Sequence, residues 1–285
     1  MVREPVLVAA FTGWNDAADA ATDAVDWLAA RYGATAFATI DEQIHVDFQA
    51  QRPQVTLTNG ALRDVQWPGY SVRAAVTPDG EPDLVLLSGP EPNYEWRRFC
   101  NSVIGVAERT GTRTIVTFGS LLADAPHTRA PRLSGSSTDP VTMERIAASR
   151  SRYEGPTGIV GVLHDTVRTA GFHAASMWVP VPHYVASPPN PPAIVALLHG
   201  LGRAVDLAVD TRDLRVASDA WSARVDAAVA ADRELREYVA GLEETYDDDL
   251  EGDEDDESAP FDAVDLPDGD AIAEAFEEYL RDQGS

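Results

Sequence analysis

Short apolar runs alternate with amphipathic segments along most of the chain. Strands are predicted at residues 5–11, 33–41, 70–78, 83–92 and 112–120, and helices at 16–31, 94–110, 188–207 and 218–245. Residues 155–184 predict a strand, a short helix and a second strand, and residues 54–68 predict a hairpin turning at Asn59-Gly60, with the strand at 70–78 as a candidate partner. This alternation predicts a parallel or mostly parallel sheet with helices on both faces.

Four loops are expected to meet at one edge of this sheet. Right-handed crossovers between parallel strands gather the loops that follow the strands at the strands' carboxyl ends. These loops span residues 12–16, 88–94, 119–137 and 183–192, and they are the stretches richest in Gly, Pro, His, Asn and Trp. This edge is therefore where we look for a functional surface.

The first of these loops, Gly13-Trp14-Asn15-Asp16, admits two interpretations. Gly13 and Asn15 would suit an anion site, because the free N–H groups at a helix N-terminus bind anions. Asp16 adds negative charge, however, and the segment has no Gly-x-Gly-x-x-Gly or Walker pattern. In the second interpretation, which we favour, Asn15 or Asp16 caps the helix and Trp14 packs on a neighbour or a partner.

Further polar candidates follow the later strands. Glu91 follows a buried strand, where a carboxylate can act as a general base or bind a ribose hydroxyl, and Asn93 lies two residues further on. His127 and Arg129 lie in a Pro-flanked loop that suits either an anion clamp or a protein interface. His183 follows another strand, and an acid–base set of His127, His183 and Glu91 would require the fold to bring the three together.

Composition excludes several classes of site. The net charge of −25 opposes binding to nucleic acid, and the absence of lysine removes Schiff-base and Walker-type chemistry. Cys100 is the single cysteine, and no His-x-x-x-His pair lies on a helix, so we expect no disulfide, metal or cofactor, and no catalytic residue can be assigned. The sequence shows no signal segment and no run long enough to span a membrane, so a cytoplasmic location is expected.

The acidic residues are concentrated towards the end of the chain. Residues 240–285 contain 19 of the 47 Asp and Glu residues and one Arg. We therefore divide the chain into an α/β domain (1–245), an acidic disordered linker (246–270) and a short amphipathic helix (271–285). The last helix either docks on its own domain or is a tethered binding element, and the acidic segment either aids solubility or mimics a polyanion.

Several of the loop sequences resemble one known family. The blocks GWNDAADAAT, LLSGPEPNYEW, GSLLADAPHTRAPRLSGSS and PHYVASPPNPPA are similar to the bacterial branch of the proteasome assembly chaperone family, second-subunit type. The resemblance covers about Val6 to Glu244. It implies a three-layer α/β/α sandwich like that of nucleoside phosphorylases and peptidyl hydrolases, and a homo-oligomer, expected to be a trimer. It implies protein partners such as proteasome subunits and carries over no catalytic residues.

Two functions remain open from the sequence. The first is a non-enzymatic chaperone or scaffold that binds proteins through the Trp- and Pro-bearing loops around Trp14, Trp67, Tyr94 and Trp96. The second is an enzyme or sensor that holds a nucleoside, phosphate or similar anion in the strand-end cleft, and it rests on architecture alone.

Overall fold

The computed structural model describes residues 2–58, 62–151 and 153–252. The strands are β1 (Val6–Thr12), β2 (Thr35–Ala38), β3 (Gln54–Thr58), β4 (Leu62–Gln66), β5 (Ser71–Ala75), β6 (Leu84–Pro90), β7 (Thr114–Ala123), β8 (Ser134–Ser137), β9 (Ser149–Arg150) and β10 (His173–Pro182). The helices are α1 (Ala20–Arg31), α2 (Glu42–His45), α3 (Trp96–Thr110), α4 (Pro140–Ile146), α5 (Ile159–Thr169), α6 (Pro191–Val205), α7 (Arg212–Ala231) and α8 (Arg233–Gly252). Short 3₁₀ turns lie at Ala17–Asp19 and His183–Val185.

Eight of the strands form one mixed sheet in the order β2-β5-β6-β1-β7-β10-β8-β9. Its centre is parallel, because β6, β1, β7 and β10 all run in the same direction. Antiparallel strands flank this centre, with β5 beside β6 on one side and β8 beside β10 on the other. The predicted mostly parallel sheet is therefore confirmed, and the carboxyl ends of four strands lie along one edge.

The sheet is buried on both faces, which gives the predicted three layers. Along β1 the side chains alternate: Val6 and Val8 enter a core that contains α1, α4 and α6, whereas Leu7 and Phe11 enter a second core that contains α3 and α5. A strand buried on both faces needs a continuous apolar run, and this is why β1 shows no polar positions before its last residue. The three-layer α/β/α sandwich is thus confirmed.

Two local predictions are wrong. The strands β3 and β4 pair with each other from Gln54 beside Gln66 to Thr58 beside Leu62 and form a separate two-stranded sheet, so they are not partners of β5. The turn predicted at Asn59-Gly60 lies outside the described residues. The strand predicted at the start of 155–184 is also absent, because that apolar run is the helix α5, which packs against β10 and β7. A short apolar run of this kind fits a buried helix as well as a strand.

The predicted helix at 218–245 is two helices. It breaks at Asp232, whose backbone is extended, with φ −114° and ψ 123°. The second helix, α8, continues to Gly252, so residues 246–252, where the linker is predicted to begin, are helical. Residues 253–285, which include the helix predicted at 271–285, lie outside the described residues.

Candidate functional site

The loops that follow β1, β6, β7 and β10 lie together at one edge of the sheet, which we call the strand-end rim. Backbone hydrogen bonds join these loops: Glu91 N donates to Thr12 O at 3.0 Å, and Ser120 N donates to Asn15 O at 2.8 Å. The gathering expected from parallel crossovers is therefore present. The rim contains all nine candidate residues, which are Gly13 and eight polar or aromatic residues, but these candidates form two groups with separate partners.

Asp16 caps the helix that follows the first loop. Its carboxylate accepts hydrogen bonds from Ala21 N at 2.8 Å and Thr22 N at 3.2 Å, and the Thr22 hydroxyl also donates to it. Burial raises the pKa of Asp16, while the bonds from Thr22 and Ala21 lower it. Gly13 allows the chain to enter this turn, because its φ of +110° is strained for any residue with a side chain. The carboxylate therefore occupies the helix N-terminus that an anionic ligand would need.

Glu91 fills a second helix N-terminus. Its Oε1 accepts hydrogen bonds from Asn15 Nδ2 and from Ile159 N, the first residue of α5, each at 2.8 Å. A carboxylate is stabilised at this position by the helix dipole. Gly158 permits the close approach, since a β-carbon there would lie 2.3 Å from Asn15 Oδ1. Asn15 and Glu91 thus join β1, β6 and α5. Sequence reasoning does not find this role of Gly158, because a strand is predicted at the start of residues 155–184.

Aromatic side chains remain exposed around this first group. Trp14 is 59% exposed and Tyr94 is 53% exposed. The Tyr94 hydroxyl donates to Asp47 Oδ2 at 2.9 Å, and Asn93 Oδ1 accepts from Asp47 N at 2.8 Å. Trp96, predicted to belong to the same surface, instead packs against the second core. Trp14 and Tyr94 therefore give the rim an apolar surface that no described part of the chain covers.

His127 belongs to the second group and is buried. Its backbone N donates to Tyr184 Oη at 2.7 Å, and its ring Nδ1 lies 2.7 Å from the same oxygen. Its Nε2 lies 3.0 Å from Asp226 Oδ1 on α7. His127 therefore ties the loop after β7 to the segment after β10 and to α7. This is an internal structural role, and the imidazole ring is almost fully buried.

Arg129 joins the same loop, the one after β7, to α8. Its guanidinium donates to Asp247 at 2.9 and 2.7 Å and lies 3.4 Å from Glu243. The bonds to Asp247 raise the pKa of Arg129 and lower that of Asp247. His183 Nε2 lies 4.0 Å from Asp124 Oδ1. The three members of the hypothetical acid–base set, His127, His183 and Glu91, thus have different partners, and no hydrogen bond joins any two of them.

One small cavity lies at the rim. A cavity of about 20 Å³ lies among His127, Asn190, Trp221, Tyr246 and several prolines, which is room for about one water molecule. A wider cleft of about 790 Å³ lies at the opposite edge of the sheet and includes Arg113 and His173. Pockets that bind small molecules measure roughly 300–1,000 Å³. The rim cavity therefore does not suit the nucleoside-binding alternative.

Three further findings concern residues 2–58, 62–151 and 153–252. No group of three His, Cys, Asp or Glu side chains there is placed to hold a metal ion. None of the helices in the same residues is long and apolar enough to cross a membrane. Cys100 is buried, and burial raises the pKa of its thiol.

Comparison with known proteins identifies the family. The model of the PAC2 family matches residues 10–229. A proteasome-assembly chaperone homologue of Mycobacterium tuberculosis is 41% identical, with a TM-score of 0.76, and the match covers 82% of this chain and 99% of that chain. A PAC2 family protein from Streptomyces avermitilis is 42% identical, with the same coverage and TM-score.

A more distant structure has the same fold. An archaeal proteasome activator from Pyrococcus furiosus is 15% identical, with a TM-score of 0.61, and the match covers 80% of this chain and 94% of that chain. A comparison with curated proteins gave no match. The match to 10–229 and the two bacterial structures place the whole sandwich in one family, and the chain belongs to the PAC2 family.

Proposed function

We propose that the protein is a non-enzymatic chaperone or scaffold that binds protein partners through the strand-end rim. The observation that carries this proposal is that the polar side chains of the rim are buried and bonded within the sandwich, while its aromatic side chains are exposed. The buried polar side chains Asn15, Asp16 and His127 each bond to another part of the sandwich, whereas Trp14 and Tyr94 face solvent. Exposed aromatic side chains next to a rigid polar scaffold are typical of protein interfaces.

The partner class that we propose is a proteasome subunit. Support comes from the similar M. tuberculosis protein, a proteasome-assembly chaperone homologue, and from the archaeal activator with the same fold. The proposal includes self-association of the chain as a homo-oligomer, with a trimer as the expected form. Stable interfaces of this kind bury about 800 Å² on each partner, an area that demands more than one of the rim loops.

The test is capture of purified proteasome subunits on the immobilised full chain. We expect the wild-type chain to retain the subunits and Trp14→Ala to retain at least tenfold less, because the central aromatic residues of an interface carry much of its binding energy. Phe37→Ala is the matched control, since Phe37 is an aromatic residue with 50% exposure on the edge strand β2, outside the rim. Equal retention by all three chains, or no retention by the wild type, would contradict the proposal.

A further inference from the structure

The wider cleft at the edge of the sheet opposite the rim has the size of a ligand-binding site. It measures about 790 Å³, and pockets that bind small molecules measure roughly 300–1,000 Å³. The strands β6, β1, β7 and β10 run parallel, so their amino ends all lie at this edge. We call this space the amino-end cleft, and its walls are drawn from residues 3–6, 80–82, 111–116, 137–145, 173–175 and 204–206.

The order of the strands separates negative from positive charge along the amino-end cleft. Among the residues that line it, Glu81 and Glu4 precede β6 and β1, whereas Arg113 precedes β7 and His173 begins β10. These strands are neighbours in the order β6-β1-β7-β10, so the acidic pair and the basic pair lie on opposite sides. Adjacent strands are about 4.8 Å apart, which puts the middles of the two pairs about 10 Å apart.

Most of the remaining charged side chains of the cleft are paired within the domain. Arg3 forms ion pairs with Asp79 at 2.5 Å and with Asp83 at 3.4 Å. Arg145 forms an ion pair with Asp206. Because these charges are balanced by partners in the same chain, the acidic pair and the basic pair decide which ligand the cleft accepts.

Arg113 and Glu81 lack such partners. The Arg113 guanidinium forms no hydrogen bond or ion pair with residues 2–58, 62–151 or 153–252, and Glu81 Oε2 is shielded from solvent and accepts no hydrogen bond from them. His173 N donates to Arg113 O at 3.0 Å, so the two basic residues are adjacent. Asp139 interacts with the charge of His173, but its carboxylate already accepts from two backbone N–H groups of α4. A shielded carboxylate oxygen needs a donor, and a free guanidinium binds carboxylates strongly.

We propose that the amino-end cleft binds a short peptide whose amino and carboxyl termini are both free. Its ammonium group lies at Glu81 and Glu4, and its carboxylate lies at Arg113 and His173. An extended peptide advances about 3.3 Å per residue, so three residues span the distance of about 10 Å between the two sides. A simple anion would be repelled by the carboxylates, and a simple cation would be repelled by Arg113. A ligand that satisfies both sides therefore carries both charges.

Apolar side chains supply much of the remaining wall. Ligand pockets combine apolar walls with a few placed polar groups. The amino-end cleft is lined in this way by Val6, Val116, Ala175, Ala204 and Val205. These residues offer contacts to small apolar side chains, so tri-alanine is a suitable probe.

Peptide binding in the amino-end cleft goes beyond the proposed function and is independent of it, because Trp14 and Tyr94 lie at the opposite edge of the sheet. Loss of proteasome-subunit capture in Trp14→Ala would leave peptide binding intact. Absence of peptide binding would likewise leave capture through the rim intact.

Calorimetric titration of the full chain with three peptides tests the recognition of both termini. The probes are tri-alanine, N-acetyl-tri-alanine, which lacks the ammonium group, and tri-alanine amide, which lacks the carboxylate. We expect tri-alanine to bind at least tenfold more tightly than either blocked peptide, because hydrogen bonds to charged groups contribute roughly 10- to 100-fold in affinity. Equal affinity for all three peptides, or no binding of tri-alanine at millimolar concentration, would overturn the proposal.

Two substitutions locate the termini of the bound peptide. Arg113→Gln should weaken the binding of tri-alanine at least tenfold and leave that of tri-alanine amide unchanged, because the amide has no carboxylate to be recognised. Glu81→Gln should weaken tri-alanine by a similar factor and leave N-acetyl-tri-alanine unchanged. Arg97→Gln is the matched control, since Arg97 is an exposed arginine on α3, outside the cleft. Wild-type affinity in Arg113→Gln or Glu81→Gln, or an equal loss in Arg97→Gln, would contradict the proposal.

Discussion

The effect of removing the Glu91 side chain on stability distinguishes a structural role of this carboxylate from a catalytic role. Glu91→Ala deletes the acceptor for Ile159 N and for Asn15 Nδ2. Loss of a helix cap costs about 0.5–2 kcal/mol, and a buried amide left without its acceptor costs about 1–3 kcal/mol. We therefore expect the free energy of unfolding to fall by about 2–3 kcal/mol, since the two costs partly overlap.

Thermal and urea unfolding of the full chain measure this effect. At about 2–4 °C per kcal/mol for a domain of this size, the midpoint should fall by roughly 4–12 °C. Glu108→Ala is the matched control, because Glu108 is exposed on α3, and such a surface change stays within about 0.5 kcal/mol. A midpoint that is unchanged or raised in Glu91→Ala would refute the capping role. A raised midpoint would instead be typical of a functional carboxylate kept at a cost in stability.

Three further perturbations test neighbouring parts of the structure. Gly158→Ala places a β-carbon against Asn15 Oδ1 and should lower the free energy of unfolding by about 1–3 kcal/mol in urea; an unaltered value would contradict the close contact. Burial and neighbouring carboxylates raise the pKa of Asp23 to about 6, so stability should fall as pH rises from about 4 to 6. Asp23→Asn should therefore stabilise the protein at pH 7 and not at pH 4, and an equal effect at both would refute this. The hydrogen bonds from Arg129 lower the pKa of Asp247, so the contribution of this pair is present above about pH 4 and is lost as pH falls below it. The protection factors of the amide hydrogens in α8, taken relative to the intrinsic exchange rate at each pH, should accordingly fall below that pH, and constant protection factors would contradict this.

The sheet could be predicted from the sequence because its central strands are buried on both faces. The runs ending at Phe11 and at Leu87 are continuously apolar, and this pattern favours their assignment as strands buried on both faces. The gathering of the loops at the strand-end rim could be predicted from the parallel connections between the strands alone. The apolar run at 159–163, by contrast, fits a strand and a helix equally well by length, and packing against β7 and β10 decides it.

The pairing within the rim could not be predicted, because its contacts join residues far apart in the chain. Asn15 meets Glu91, and His127 meets Asp226 across 99 positions. The sequence identified these residues as polar and located at strand ends. The sequence does not indicate that Arg129 pairs with α8. The break at Asp232 positions α8, and this break opposes the local preference of the sequence for a continuous helix.

The central claim is that the strand-end rim binds proteins through its exposed aromatic side chains. The most direct test is the dissociation constant of the full chain for purified proteasome subunits, measured for the wild type, for a chain with both Trp14→Ala and Tyr94→Ala, and for Phe37→Ala. We predict that the double substitution weakens binding by at least 100-fold, which corresponds to about 2.7 kcal/mol, and that Phe37→Ala leaves it unchanged. Equal constants for all three chains, or no measurable binding by the wild type, would contradict the account.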